Sequence, residues 1–90
     1  MVDAATPGAR VVTLYHAQGC HLCERARAQL VELRKELGFE LREVDIGGDE
    51  RLEATYRQLL PVVELDGEQL FTYYVHPEAL RRRLRSQSPA

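Results

Sequence analysis

Two cysteines occur in the 90-residue chain, and they stand three positions apart as Cys20-His21-Leu22-Cys23. An apolar run, Val11 to Tyr15, precedes them, and a long amphipathic stretch follows. This spacing at a strand-to-helix junction reads as a dithiol redox site. A thiol at the start of a helix meets unpaired N–H groups and the positive end of the helix dipole. Both favour thiolate over thiol. Cys20 is therefore the natural nucleophile, with a pKa drawn below about 8.5. Cys23, one turn on, is the natural resolving thiol. His21 is a candidate for tuning the Cys20 pKa when protonated. Glu24 suits the helix N-terminus but opposes thiolate formation.

Two other readings of the cysteines compete with this one. They could be small apolar fillers, although a helix-start position beside His21 argues against that. They could also bind metal, but Cys20 and Cys23 with His16 or His21 supply only part of a four-ligand structural set. No metal ligand is assigned.

The elements that must position the pair follow from the pattern. Val11–Tyr15 is a β-branched and aromatic run suited to a strand covered on both faces. From His21 to Leu37, Leu22, Ala26, Leu30, Leu33 and Leu37 mark one helix face, and Gly38 is placed to end it. Phe39–Asp45 alternates, with Phe39, Leu41 and Val44 expected inward. Gly47-Gly48 breaks the chain and Asp49 can cap a short helix carrying Leu52, Tyr56 and Leu59. Pro61 ends that helix. Val62–Leu65 and Gln69–Tyr74 read as a hairpin around Asp66-Gly67. Tyr73 and Tyr74 should then face opposite sides of the strand, one core and one surface. Pro77 opens a last helix with Leu80 and Leu84 on one face. Arg81, Arg82, Arg83 and Arg85 are expected as a solvated helix end, with an anionic partner the less favoured reading.

The order is β-α-β-α-β-β-α, an α/β fold with a four-stranded mixed sheet flanked by helices. The first two strands should be parallel through a right-handed crossover. Residues 1–9 are expected as a flexible leader, 10–85 as the domain and 86–90 as a frayed tail. Ninety residues allow one small core. Net charge is −2, which favours neither nucleic acid nor an anionic membrane. No apolar run reaches membrane-spanning length, and Met1–Arg10 lacks a signal-peptide pattern. The expected compartment is the cytoplasm, where so close a cysteine pair points to catalysis or metal binding.

Three segments carry a family resemblance. They are Val11–Tyr15 leading to Gly19-Cys20-His21-Leu22-Cys23-Glu24, then Arg42–Ile46, and then Leu60-Pro61-Val62-Val63 before Asp66-Gly67. Over Arg10 to Arg85 the chain resembles the glutaredoxin-like family of the thioredoxin superfamily. It is nearest to small bacterial members with a Gly-Cys-His-Leu-Cys site. The resemblance implies a glutaredoxin-like fold and a thiol–disulfide oxidoreductase, with Cys20 as nucleophile and Cys23 as resolving cysteine. It implies a cis-proline at Pro61 beside the disulfide. It also implies that the Leu60 backbone pairs with an extended substrate. Substrates would be protein or small-molecule disulfides, and the reducing system glutathione or thioredoxin reductase. No bound cofactor, nucleic acid or membrane is implied, and a monomer is expected.

The chain departs from glutathione-dependent members. His-Leu stands between the cysteines in place of Pro-Tyr. His16 and Gln18 occupy the region where a lysine is expected. Thr72-Tyr73-Tyr74-Val75 contains no Gly-Gly. The usual glutathione clamp is thus largely absent. Two alternatives on the same fold are an iron–sulfur or metal-binding module, with Cys20 as a ligand, and a redox-sensing binding module.

Overall fold

The computed structural model describes residues 10–86. The expected leader 1–9 and positions 87–90 of the expected tail lie outside the described residues, and Ser86 is the last residue of a helix. Among the described residues four strands and three helices follow in the order β1 (Val11–His16), α1 (His21–Leu37), β2 (Glu40–Asp45), α2 (Glu50–Tyr56), β3 (Val62–Leu65), β4 (Glu68–Thr72) and α3 (Pro77–Ser86). One turn of 3₁₀ helix, Arg57–Leu59, links α2 to the approach of β3. The sheet order is β2-β1-β3-β4. β1 pairs with β2 in parallel, and β3 is antiparallel to both β1 and β4. The expected element order and mixed sheet are both present.

The period-two alternation of each strand gives the sheet two different faces. Val12 and Leu14 of β1, Val63 and Leu65 of β3, and Phe71 of β4 form one apolar layer. Ala26, Leu30 and Leu33 of α1 and Leu80 of α3 cover it. The opposite face is smaller and contains Ile46, with Tyr15, Leu52 and Tyr56 packed around it. α2 covers this second face. Val44 shares parity with Ile46, so it lies on the α2 side and not with Phe39 and Leu41 as expected. The β1–β2 register runs without a bulge from Glu40 to Asp45 and sets Val44 opposite Tyr15, and only one of the two sets of side chains can face α1.

Local chemistry fixes the element ends. Gly38 takes φ 80° and its N–H donates to the Arg34 carbonyl, closing α1. The Asp49 carboxylate accepts from the Leu52 N–H at 3.0 Å and caps α2. The hairpin turn has positive φ at both Asp66 (51°) and Gly67 (88°), the backbone of a type I′ turn. The Asp66 side chain also accepts from the Val11 N–H at 2.8 Å and pairs with Arg10, so the turn is tied to the start of β1. Partial burial pushes the Asp66 carboxyl up. The Val11 N–H and the Arg10 charge outweigh it and hold the carboxyl below its ordinary range.

Two further expectations need correction. β4 ends at Thr72 and not at Tyr74, so Tyr73 and Tyr74 do not divide between core and surface; both are exposed, at 42% and 57%. Tyr73 adopts φ 68°, in the left-handed region, and strand alternation stops there. Arg81 and Arg83 of α3 are also less free than a solvated helix end, whereas Arg82 and Arg85 are exposed as expected. Arg81 grips both carboxylate oxygens of Glu36 on α1, at 2.7 and 2.9 Å, and also bonds Glu78. Arg83 reaches Glu68 of β4. These pairs dock α3 at its register. They are exposed and open to salt screening.

Candidate functional site

Cys20 is the N-cap of α1. Its backbone is extended (φ −95°, ψ 102°), and its side chain faces the first turn of the helix. The Cys23 N–H donates to Cys20 Sγ at 3.1 Å, and the Glu24 N–H donates to the Cys20 carbonyl at 3.1 Å. The sulfur therefore occupies the position that a capping oxygen takes in an ordinary helix. Cys20 and Cys23 are joined in a disulfide, with Cα atoms 5.2 Å apart. The two sulfurs differ in access. Cys23 is 3% exposed, whereas Cys20 is half-buried at the surface.

Cys23 packs with Ala17, Ile46 and Leu60, and Tyr15, Cys20, Leu52 and Tyr56 lie against this group. Ala17 comes from the end of β1, Ile46 from the end of β2 and Leu60 from the approach to β3. The site thus sits where three neighbouring elements converge on the N-terminus of α1. The Leu60–Pro61 peptide bond is cis, and both residues are buried. Leu60 precedes the pairing of β3, which begins at Val62 opposite Thr72 and Tyr15. The fold has thus brought Cys20, Cys23 and Leu60 into one cluster, with Pro61 next in chain. His21 projects away from the cluster. Its side chain is 93% exposed and its Nδ1 lies 4.0 Å from a Glu24 carboxylate oxygen.

A tyrosine pair that no local sequence pattern couples lies beside this cluster. Tyr15 and Tyr56 stack with ring centroids 4.2 Å apart. Their hydroxyls reach the two carboxylate oxygens of Glu64, at 3.4 Å from Tyr15 and 3.1 Å from Tyr56. The available signal was a single charge inside an apolar strand, Val62-Val63-Glu64-Leu65. A carboxylate there needs partners, because burying it unpaired costs several kcal/mol (on the order of the values for desolvated ions). Burial, the Tyr15 hydrogen bond and the Glu64 charge push the Tyr56 hydroxyl up to about 12. The folded state therefore holds this proton more tightly than the unfolded chain does. Its contribution to stability is intact below pH 10 and is lost as pH rises toward 12. The urea midpoint is expected to fall across that window in the parent protein and to fall less in Tyr56→Phe. Parallel pH profiles for the two would contradict the assignment.

Two grooves are lined in part by residues close in the chain to the cysteine pair. One, of about 360 Å³, is lined by Ala17, Gln18, Asp45, Gly47 and Arg57. Arg57 is held there by both oxygens of Glu53, at 2.8 and 2.7 Å. The other, of about 90 Å³, lies between Leu22, Arg25 and Gln29 of α1 and Tyr73 and Tyr74.

Residues 11–85 match the family described as Glutaredoxin-like domain (DUF836). The chain belongs to this glutaredoxin-like family. A relative in Mycobacterium tuberculosis, "Uncharacterized protein Rv0508", is 37% identical over 75 residues, covering 78% of this chain and 77% of that protein. Among solved structures, protein Ne2328 from Nitrosomonas europaea superposes with a TM-score of 0.73 at 29% identity, over 92% of this chain and 98% of that one. Fasciola hepatica thioredoxin aligns with a TM-score of 0.59 at 24% identity, over 88% and 81% of the two chains. That last likeness concerns the fold, which is thioredoxin-like. The glutaredoxin-like domain carries its cysteine pair at the N-terminus of α1, the junction at which the sequence places it.

Proposed function

We propose that this glutaredoxin-like protein reduces disulfides through the Cys20/Cys23 dithiol. The observation that carries the reading is the unequal access of the two sulfurs at a helix N-terminus. Cys20 can meet a substrate, and Cys23 can meet only Cys20. In the reduced protein the Cys20 thiolate attacks one sulfur of a substrate disulfide. A mixed disulfide forms, and the other substrate sulfur leaves as thiolate and takes up a proton. Cys23 then gives up its proton and attacks Cys20 Sγ, which releases the second substrate thiol. The Cys20–Cys23 disulfide remains, two electrons having passed to the substrate. An external thiol reductant restores the dithiol.

Leu60 supports a polypeptide substrate in this reading. It lies against Cys23 and ahead of the β3 pairing, where an extended chain can take up main-chain hydrogen bonds. Glutathione is not the favoured reductant. Arg57, the cation of the groove beside Ala17 and Gln18, is already engaged by Glu53, and tyrosines stand where the glutathione-dependent members have Gly-Gly.

Insulin reduction tests both parts. With dithiothreitol as electron source the protein is expected to accelerate precipitation of the reduced chains well above the dithiothreitol blank. With glutathione, glutathione reductase and NADPH it is expected to turn over at least about tenfold more slowly, since about 1.4 kcal/mol of lost donor binding suffices for that ratio. No acceleration in either system would overturn the reductase reading. Equal rates in the two would overturn the choice of donor.

A further inference from the structure

We infer that Tyr73 is a positioning residue that holds Leu60 and Pro61 in place against the cysteine pair. The inference deepens the reading above and rests on it for its functional meaning. Tyr73 follows β4, and it touches the segment before β3 twice. Its ring hydroxyl donates to the Gln58 carbonyl at 2.9 Å, and its main-chain N–H donates to the Pro61 carbonyl at 2.9 Å. Gln58 lies in the 3₁₀ turn, whose last carbonyls have no partner within so short a helix. One residue therefore bonds both ends of the Gln58–Pro61 segment. Leu60 lies between the two bonded carbonyls, and its side chain rests on Cys23, Ala17 and Ile46.

Tyrosine is a poor choice for the backbone it adopts here. At φ 68° the left-handed region suits glycine or asparagine, and a bulky residue there is an outlier. The residue is 42% exposed, so burial does not explain its presence. The backbone bend does explain it. Turning out of β4 at this residue directs both the N–H and the phenol toward one segment. Residues held in sparsely populated conformations often mark functional positions.

A second clasp closes the same segment from its flanks. The Tyr56 hydroxyl bonds Glu64, joining the residue before the 3₁₀ turn to the third residue of β3. Tyr56–Glu64 fixes where the segment starts and ends. Tyr73 fixes the main chain between, and hence the height of Leu60 beside the disulfide.

Tyr73→Phe removes only the bond to Gln58, and Tyr73→Gly removes the ring while relieving the left-handed backbone. Five readouts separate positioning from bulk stability, all made on the full chain. KM for insulin, with dithiothreitol as electron source, is expected to rise about fivefold in both variants, the loss typical of one neutral hydrogen bond. Turnover at saturating insulin and the rate with the small disulfide dithiobis(nitrobenzoate) should stay at the parent values. Amide exchange at Leu59 and Leu60 should quicken by a similar factor, with the unfolding temperature of Tyr73→Gly no lower than the parent's.

An unchanged KM together with unchanged exchange would overturn the inference. Insulin and small-disulfide rates falling together would overturn it as well, since Tyr73 would then act on the cysteines or on the fold. A parent protein that fails to reduce insulin would overturn the reductase reading instead. The exchange measurement would then decide by itself whether Tyr73 holds the segment.

Discussion

Cys20→Ser is expected to reduce insulin reduction to the uncatalysed background, a loss on the order of 10³-fold or more. A serine hydroxyl at this position stays protonated at neutral pH and cannot form the mixed disulfide, so no later step is reached. The fold should survive, because Cys20 is half-buried and its capping role passes to the serine oxygen, a preferred N-cap group. Cys23→Ser should behave differently. The first attack remains available while the release step is lost, so a one-to-one mixed disulfide with a substrate peptide accumulates at Cys20. Mass spectrometry of the unreduced adduct, followed by its disappearance with dithiothreitol, reads this directly. A serine in the apolar group of Ala17, Ile46 and Leu60 adds a desolvation cost of roughly 1–3 kcal/mol. Cys23→Ala should therefore trap the same adduct with less loss of stability. Full turnover in Cys20→Ser, or a trapped adduct on Cys23, would reverse the assigned roles.

Leu14→Ala is expected to destabilise the domain by about 2–5 kcal/mol, the range for truncating a buried leucine. Leu14 is 0% exposed in β1, an interior strand of the sheet, and belongs to the layer shared by α1 and α3. Neighbours on β1, β3 and both helices would have to move together to close the cavity, so little relaxation is available. A chain of this size commonly has a total stability of roughly 5–10 kcal/mol. The substitution thus removes a large share of it, and the unfolding temperature should fall by about 10–20 °C or more. Urea denaturation of the oxidised protein gives the free energy. A change below about 1 kcal/mol would contradict the packing described for this layer.

Much of the fold was legible because the signals are local. α1 runs from His21 to Leu37 as its apolar spacing requires, with Gly38 closing it, and the hairpin turns at Asp66-Gly67. Asp49 caps α2. Each depends on residues within one or two turns of one another, which is the range over which propensity and capping act. The errors fell where local pattern and tertiary pairing disagree. Val44 looked like a partner of Leu41, but strand parity places it on the α2 face. Tyr73 looked like one more strand residue, but its N–H answers the Pro61 carbonyl, twelve positions earlier in the chain.

The candidate site divides in the same way. By itself the sequence determined that two cysteines stand one turn apart at a helix start, because their spacing and the helix that follows are written in consecutive residues. It also supplied Leu60-Pro61, through a resemblance, without a distance to the cysteines. Only the tertiary structure decided which sulfur is reachable. Cys23 is sealed by Ala17, Ile46 and Leu60, residues from three segments that meet solely because β1, β2 and the approach to β3 lie side by side. It alone showed His21 turned outward to Glu24, and Tyr15 and Tyr56 gathered on Glu64. Burial and long-range hydrogen bonds depend on how the elements pack, and no window of sequence contains both partners of such a contact.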